Sequence, residues 1–158
     1  MPDSMAPPDR IERLDAKLQA MPPVRAMQLR ALDYDGQRLR LAAPLAANVN
    51  DKGCAFGGSL ASAMTLAAWG CASLALDAAG FADAEVYVQD SQLRYLAPLY
   101  DDLVACAQLA PEQDWAGFIK SYRERGKARA QLVAEIRCAD GRVAASFEGR
   151  FVALRPAG

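Results

Sequence analysis

Ile11, Leu14, Leu18 and Met21 recur at helical spacing, with Asp9, Glu12 and Asp15 between them. The pattern predicts a helix over about 7–21, ended by Pro22-Pro23. Residues 24–32 and 37–43 then read as two strands flanking Asp35-Gly36, a two-residue hairpin signal. In the second of these, Arg38 and Arg40 alternate with Leu39 and Leu41, which leaves one face wet. A polar, glycine-containing connection covers 44–56, and from 53 to 76 no residue is charged. This stretch predicts one long helix over about 57–79, buried on all sides, with Gly80 as its C-terminal cap.

The second half alternates with period two. Strands are expected over 85–96, stopped by Pro98, and over 102–109. A short amphipathic helix follows Pro111, where Trp115, Phe118, Ile119 and Tyr122 form a stripe that reads as packing rather than a ligand box. Over 127–138, Lys127, Arg129, Gln131, Glu135 and Arg137 alternate with Ala128, Ala130, Leu132, Ile136 and Cys138. The Asp140-Gly141 turn leads to a last strand with Val143, Phe147 and Phe151 on one face. Without an internal repeat or linker, 1–158 reads as one α+β domain. An antiparallel sheet must bury its apolar face, and the uncharged helix is available to cover it. A sheet wrapped around one long central helix is the hotdog fold. Such a helix also calls for a second subunit, so a homodimer or a dimer of dimers is expected.

Composition narrows the chemistry. The chain has 158 residues, 53% of them hydrophobic and 33 of them alanine, with a formal charge of −1. That balance offers no field for nucleic acid or an anionic membrane, and neither partner is expected. There is no histidine, which excludes Ser-His-Asp triads, Cys-His pairs and histidine bases or metal ligands. Cys54, Cys71, Cys106 and Cys138 lack paired spacing and read as buried reduced thiols, so no metal or cofactor is expected. The N-terminus lacks a basic-then-apolar signal pattern, and the expected location is the cytoplasm. The uncharged stretch could span a bilayer by length, but its Ala, Gly and Ser content favours a helix buried in protein.

The loop entering the long helix, Asn50-Asp51-Lys52-Gly53-Cys54-Ala55-Phe56-Gly57-Gly58-Ser59, is where chemistry is expected. Free first-turn N–H groups and the helix dipole suit an anion or a developing oxyanion. Gly57 and Gly58 would let a substrate approach those donors closely; equally, the glycines can serve only a tight loop. Asn50, Gly53, Gly57 and Gly58 match the Asn-x-x-Gly-x-x-His-Gly-Gly loop of hotdog acyl-CoA thioesterases. With Asp90-Ser91 and Arg94-Tyr95-Leu96-Ala97-Pro98 downstream, the chain more specifically resembles, over about 11–154, the thioesterase family named after the YiiD C-terminal domain.

The resemblance implies a thioester hydrolase acting on an acyl-CoA or acyl-carrier-protein substrate, with two subunits contributing to each site. Phe56 stands where the pattern has histidine, and Thr65 where such enzymes often carry aspartate. Threonine positions water but is a poor base. Asp51 and Asp90 are the replacement carboxylates. Asp90, which interrupts an apolar strand, ranks first as the base and otherwise reads as a solvated edge residue; Asp51 ranks second and otherwise reads as a solvated loop residue, and Ser91, on the opposite face from Asp90, ranks lower. Asn50 and Thr65 would orient water or carbonyl, with Phe56 and Ser59 against the substrate. Arg123 and Arg125, within the basic run from Lys120 to Arg129, would meet coenzyme A phosphates or else form a solvated helix end. The rival function is an acyl-thioester binding protein without turnover. A hotdog dehydratase or isomerase fits less well, because those chemistries usually rely on histidine.

Overall fold

The computed structural model describes residues 6–157, with side chains from Arg10 onward. The remaining terminal residues of the expected 1–158 domain, and the Asp9 side chain, lie outside the described residues. Helix α1 (Ala6–Gln19) buries Leu14 and Leu18. Pro22-Pro23 does more than stop it. The two prolines occupy the first positions of a second helix, α2 (Pro22–Met27), where a missing N–H is harmless and a fixed φ is preset for helix. Gln28, with φ 57°, closes α2. The strand expected over 24–32 is therefore confined to β1 (Arg30–Tyr34). At the hairpin, Asp35 Oδ1 accepts from the N–H groups of Gln37 (2.8 Å) and Arg38 (2.6 Å), and β2 (Leu39–Ala43) follows.

Helix α3 (Gly57–Ala78) is the axis of the molecule. Around it curve β1, β2, β3 (Glu85–Tyr95), β4 (Leu103–Leu109), β5 (Lys127–Arg137) and β6 (Val143–Leu154). They form one antiparallel sheet in the order β1-β2-β4-β5-β6-β3. This is the hotdog arrangement. Ala63, Met64, Ala67, Ala68, Cys71 and Leu74 on α3 meet Leu41, Leu103, Ala105, Leu132, Ile136, Phe147 and Phe151 in one core. Small residues on the helix let the sheet approach closely. At Gly70 a methyl group would sit 2.6 Å from a Leu39 methyl and 3.2 Å from one of Leu14. By length and composition α3 could cross a membrane, but here most of it is the interior of a wrapped sheet.

The helix is not buried on every side. Ala61, Ser62, Thr65, Leu66, Trp69 and Ser73 form a partly open stripe beside β3. Trp69 Nε1 ties the two by donating to Val86 O at 3.0 Å. Strand β3 is an edge strand, paired only with β6 among the described residues. Helix α4 (Trp115–Arg125) is capped by Asp114, whose carboxylate accepts from Gly117 N–H, and closed by Gly126 with φ 69°. Its stripe packs inward, with Phe118 and Tyr122 buried and Trp115 and Ile119 partly so. All four cysteines are free, but only Cys54 and Cys71 are buried; Cys106 and Cys138 are half-buried near the sheet surface.

Candidate active site

The loop before α3 is built by two asparagines. Asn48 is 3% exposed; its Nδ2 donates to Met27 O (2.9 Å) and Pro44 O (2.8 Å), and its carbonyl accepts from Phe56 N–H (2.7 Å). Its Oδ1 is buried without a partner. Asn50 Oδ1 accepts from the N–H groups of Lys52 (2.8 Å) and Cys54 (3.2 Å), folding an Asx-type turn. Asn50 is thus engaged in shaping the loop, with its Nδ2 on Cys54 Sγ at 3.3 Å. Gly53, at φ +85°, supplies the left-handed step of that turn. Ala55 N–H then donates to Leu99 O at 2.8 Å, fastening the loop to the segment after β3.

Phe56 is the N-cap residue of α3, and no side chain caps the helix. Its carbonyl accepts from Ser59 N–H (3.0 Å) and Leu60 N–H (3.1 Å). Helix geometry leaves the Gly57 and Gly58 N–H groups outside the ladder, and Gly58 is exposed. Two rings flank these glycines. Phe56 folds over Gly58, so a methyl group there would meet its Cε2 at 2.5 Å, and a methyl on Gly57 would lie 3.7 Å from Tyr95 Cε1. Phe56 and Tyr95 are 54% and 57% exposed. In the sequence Tyr95 is one residue of the motif at 94–98; its place at the end of a strand antiparallel to α3 is what brings it here.

The other expected site residues divide. Asp51 is exposed in the loop and pairs with Lys52 at 3.0 Å. Ser59 faces the core at 7% exposure, one residue around the helix from open Gly58, and does not present itself at the loop surface. The Thr65 hydroxyl donates to Ala61 O at 2.8 Å, two helical turns inward.

Asp90 departs from expectation. A bulge between Val88 and Asp90 shifts the β3 register by one, and a one-residue shift exchanges the faces of a strand. Val88, Ser91, Leu93 and Tyr95 pair with Phe151, Gly149, Phe147 and Ala145, residues buried on the helix side. Asp90 pairs instead with exposed Arg150, and its carboxylate meets that guanidinium at 3.3 Å with 55% of the side chain exposed. Asp90 is therefore on the outer face, and Ser91 takes the helix-facing place.

Arg123 and Arg125 lie at the other end of the molecule. The Arg123 guanidinium sits 5.4 Å over the ring of Phe81, just past the C-terminus of α3, and a helix of this length spans about 33 Å. Arg155 crosses Gly126 and donates to Arg123 O at 3.5 Å, so this basic run serves the end of α4, where cations complement the dipole. Within one protomer it does not join the loop. A groove of about 700 Å³ on the outer sheet face, among Val104, Cys106, Val133, Glu135 and Glu148, is likewise separate from the α3 N-terminus.

The architecture is shared. The structure of a protein of unknown function from Chlorobaculum tepidum TLS superposes with a TM-score of 0.88 at 30% identity, over 98% of this chain and 99% of that one. A structure described as a "putative thioesterase" from Shewanella oneidensis matches at 0.81 and 30% identity, over 94% and 99%. The fold alone extends to a thioesterase from Haemophilus influenzae, at 0.70 and 14% identity over 92% and 90%. No curated protein matches the chain in sequence. The family model described as "Putative thioesterase (yiiD_Cterm)" matches residues 11–155, and the chain belongs to that family.

Proposed function

We propose that the chain hydrolyses an acyl-CoA or acyl-carrier-protein thioester bound at the N-terminus of α3, in the cytoplasm. The observation that carries this reading is the uncapped, open Gly57/Gly58 turn in a member of a thioesterase family. Water adds to the thioester carbonyl carbon while a carboxylate takes its proton. The carbonyl oxygen becomes an oxyanion facing the Gly57 and Gly58 N–H groups. Collapse breaks the C–S bond, and the leaving thiolate takes the proton from the carboxylic acid. Asp51 is the carboxylate in the loop that leads into this turn, and Thr65 and Ser91 lie deeper along α3 and β3 as groups that orient water. Asp90 is the poorer base, because a sheet continued across the β3 edge keeps its outer face outer. The function is exercised as a homodimer or a dimer of dimers. The open β3 edge, the exposed Tyr87 and Val88 and the open stripe of α3 support that assembly.

The test is release of free thiol from an acyl-CoA panel by wild type, Asp51→Asn and Asp90→Asn. Turnover by wild type is expected, with kcat falling about 10²- to 10⁴-fold in Asp51→Asn and little changed in Asp90→Asn. Loss of activity in Asp90→Asn alone would reverse the assignment. Absence of turnover on every thioester would favour the second reading, an acyl-thioester binding protein, which phenylalanine in the histidine place and the outward Asp90 already favour.

A further inference from the structure

Eight large hydrophobic side chains are exposed among the described residues: Leu32, Val49, Phe56, Tyr87, Val88, Tyr95, Leu96 and Tyr100. Their distribution is uneven. Val49, Phe56, Tyr95, Leu96 and Tyr100 fall on two short segments, 49–56 and 95–100, joined by the Ala55 N–H to Leu99 O bond. An apolar cluster of this kind on a protein surface marks a binding site more often than chance placement. Each of the two glycines has a ring against it, Phe56 over Gly58 and Tyr95 beside Gly57. Leu96 N–H donates to Ala144 O at 2.8 Å, so the end of β3 that carries Tyr95 is held to the body of the sheet. The Tyr87 hydroxyl, by contrast, is tied to Glu85 at 2.9 Å. No hydrogen bond of the described residues engages the Tyr95 hydroxyl, so its ring is presented as a surface.

We propose that Tyr95 is a specificity-determining residue: with Phe56 it forms the two walls of a slot that takes the apolar acyl chain of the thioester. The inference rests on the reading that the thioester lies at the α3 N-terminus, and adds which part of the substrate is selected and by which side chains. A thioester oxygen directed at the Gly57/Gly58 amides places its first acyl carbons between the rings. An acetyl group is too short to cover them, whereas a chain of about eight carbons removes both ring faces from water. Selection is thus for chain length and apolarity, with no charge pairing.

The experiment uses the full chain and two substrates, acetyl-CoA and octanoyl-CoA. Wild type is expected to favour octanoyl-CoA in kcat/KM by tenfold or more. Tyr95→Ala should raise KM for octanoyl-CoA about tenfold, a change of the size expected for lost apolar contact, and so shrink the octanoyl-over-acetyl ratio of kcat/KM. Tyr95→Phe keeps the ring and should behave as wild type. Equal losses on both substrates, or a Tyr95→Phe protein as impaired as Tyr95→Ala, would overturn the proposal, since the hydroxyl or the fold would then be what matters. An unchanged octanoyl preference with a lowered mass by light scattering would assign the ring to a subunit interface and overturn it as well. If wild type releases no thiol from any substrate, hydrolysis fails but the slot is still read. The non-hydrolysable S-octyl- and S-methyl-CoA thioethers should differ at least tenfold in Kd for wild type and much less for Tyr95→Ala. Equal affinities in wild type, or a preference untouched by Tyr95→Ala, would overturn the slot itself.

Discussion

The two ends of α3 are finished in opposite ways. At the C-terminus the chain satisfies its own polar groups. Gly80, at φ +94°, turns the backbone so that Phe81 N–H returns to Leu76 O (2.8 Å) and Gly80 N–H to Asp77 O (3.0 Å), a Schellman closure. Phe81 then packs edge-on to Tyr122 at 5.0 Å, and Arg13 reaches from α1 to hold Asp77 through two oxygens at 2.9 Å. The N-terminus has no such closure: the cap residue is a phenylalanine, its ring is exposed, and the Gly57 and Gly58 amides have no acceptor among the described residues. An end shaped for stability would carry Ser, Thr, Asp or Asn at that position, which is worth about 1 kcal/mol. Under the proposed function, the missing cap and the two glycines leave that end open to a thioester.

That contrast can be broken most severely at Gly58. A side chain there strikes the Phe56 ring and fills the approach to the amides, so Gly58→Ala should cut kcat/KM by about 10²-fold. If a folded Gly58→Ala protein keeps wild-type kcat/KM in a thiol-release assay, the turn is only a packing site. The matched change at the closed end, Gly80→Ala, meets no neighbouring atom but forces a left-handed backbone. It should cost about 1–2 kcal/mol in thermal unfolding and leave kcat within twofold. Arg13→Ala removes an ion pair that is half exposed on the arginine side, and should lower stability by no more than about 1 kcal/mol, again with kcat unchanged. The smallest effect concerns Asp15, where α1 meets β1. Burial works to raise its pKa, but hydrogen bonds from Arg30 and the Ala31 N–H outweigh it and hold the carboxyl below its ordinary value. A carboxylate depressed in the folded state stabilises above its unfolded pKa of about 4 and loses that contribution as pH falls through the folded value. Asp15→Asn should therefore flatten the loss of Tm on acidification below about pH 4, without affecting activity at neutral pH.

Most of the architecture was legible in the chain. The uncharged run at 53–76 announced a helix that something must wrap, and the alternation at 127–138 placed Ala128, Ala130, Leu132 and Ile136 on the inner face where they lie. Pro22-Pro23 misled because proline ends one helix by the same geometry that begins another. Asp90 was harder. A bulge at Gln89 leaves no mark in the apolar pattern, so alternation alone put the carboxylate on the wrong face and Ser91 with it. Distance along α3 was equally invisible: Arg123 and the Gly57 turn can be brought into one site from the sequence, but within one protomer the helix between them holds them apart. Tyr95 went unweighed because a tyrosine near the end of a strand is ordinary until its neighbour is known.

Gly70 has a consequence for motion. With Leu39 and Leu14 seated where its side chain would be, the middle of α3 is indexed against both the sheet and α1, and sliding the helix along its axis would drive those methyl groups into backbone. The amides of its central turns can then open to solvent only when the sheet itself comes apart, and deuterium should enter them at the rate of global unfolding. The 48–56 loop lies outside that event and is expected to exchange faster. Any shape change on binding the proposed substrate is then expected in the loop rather than in the middle of α3.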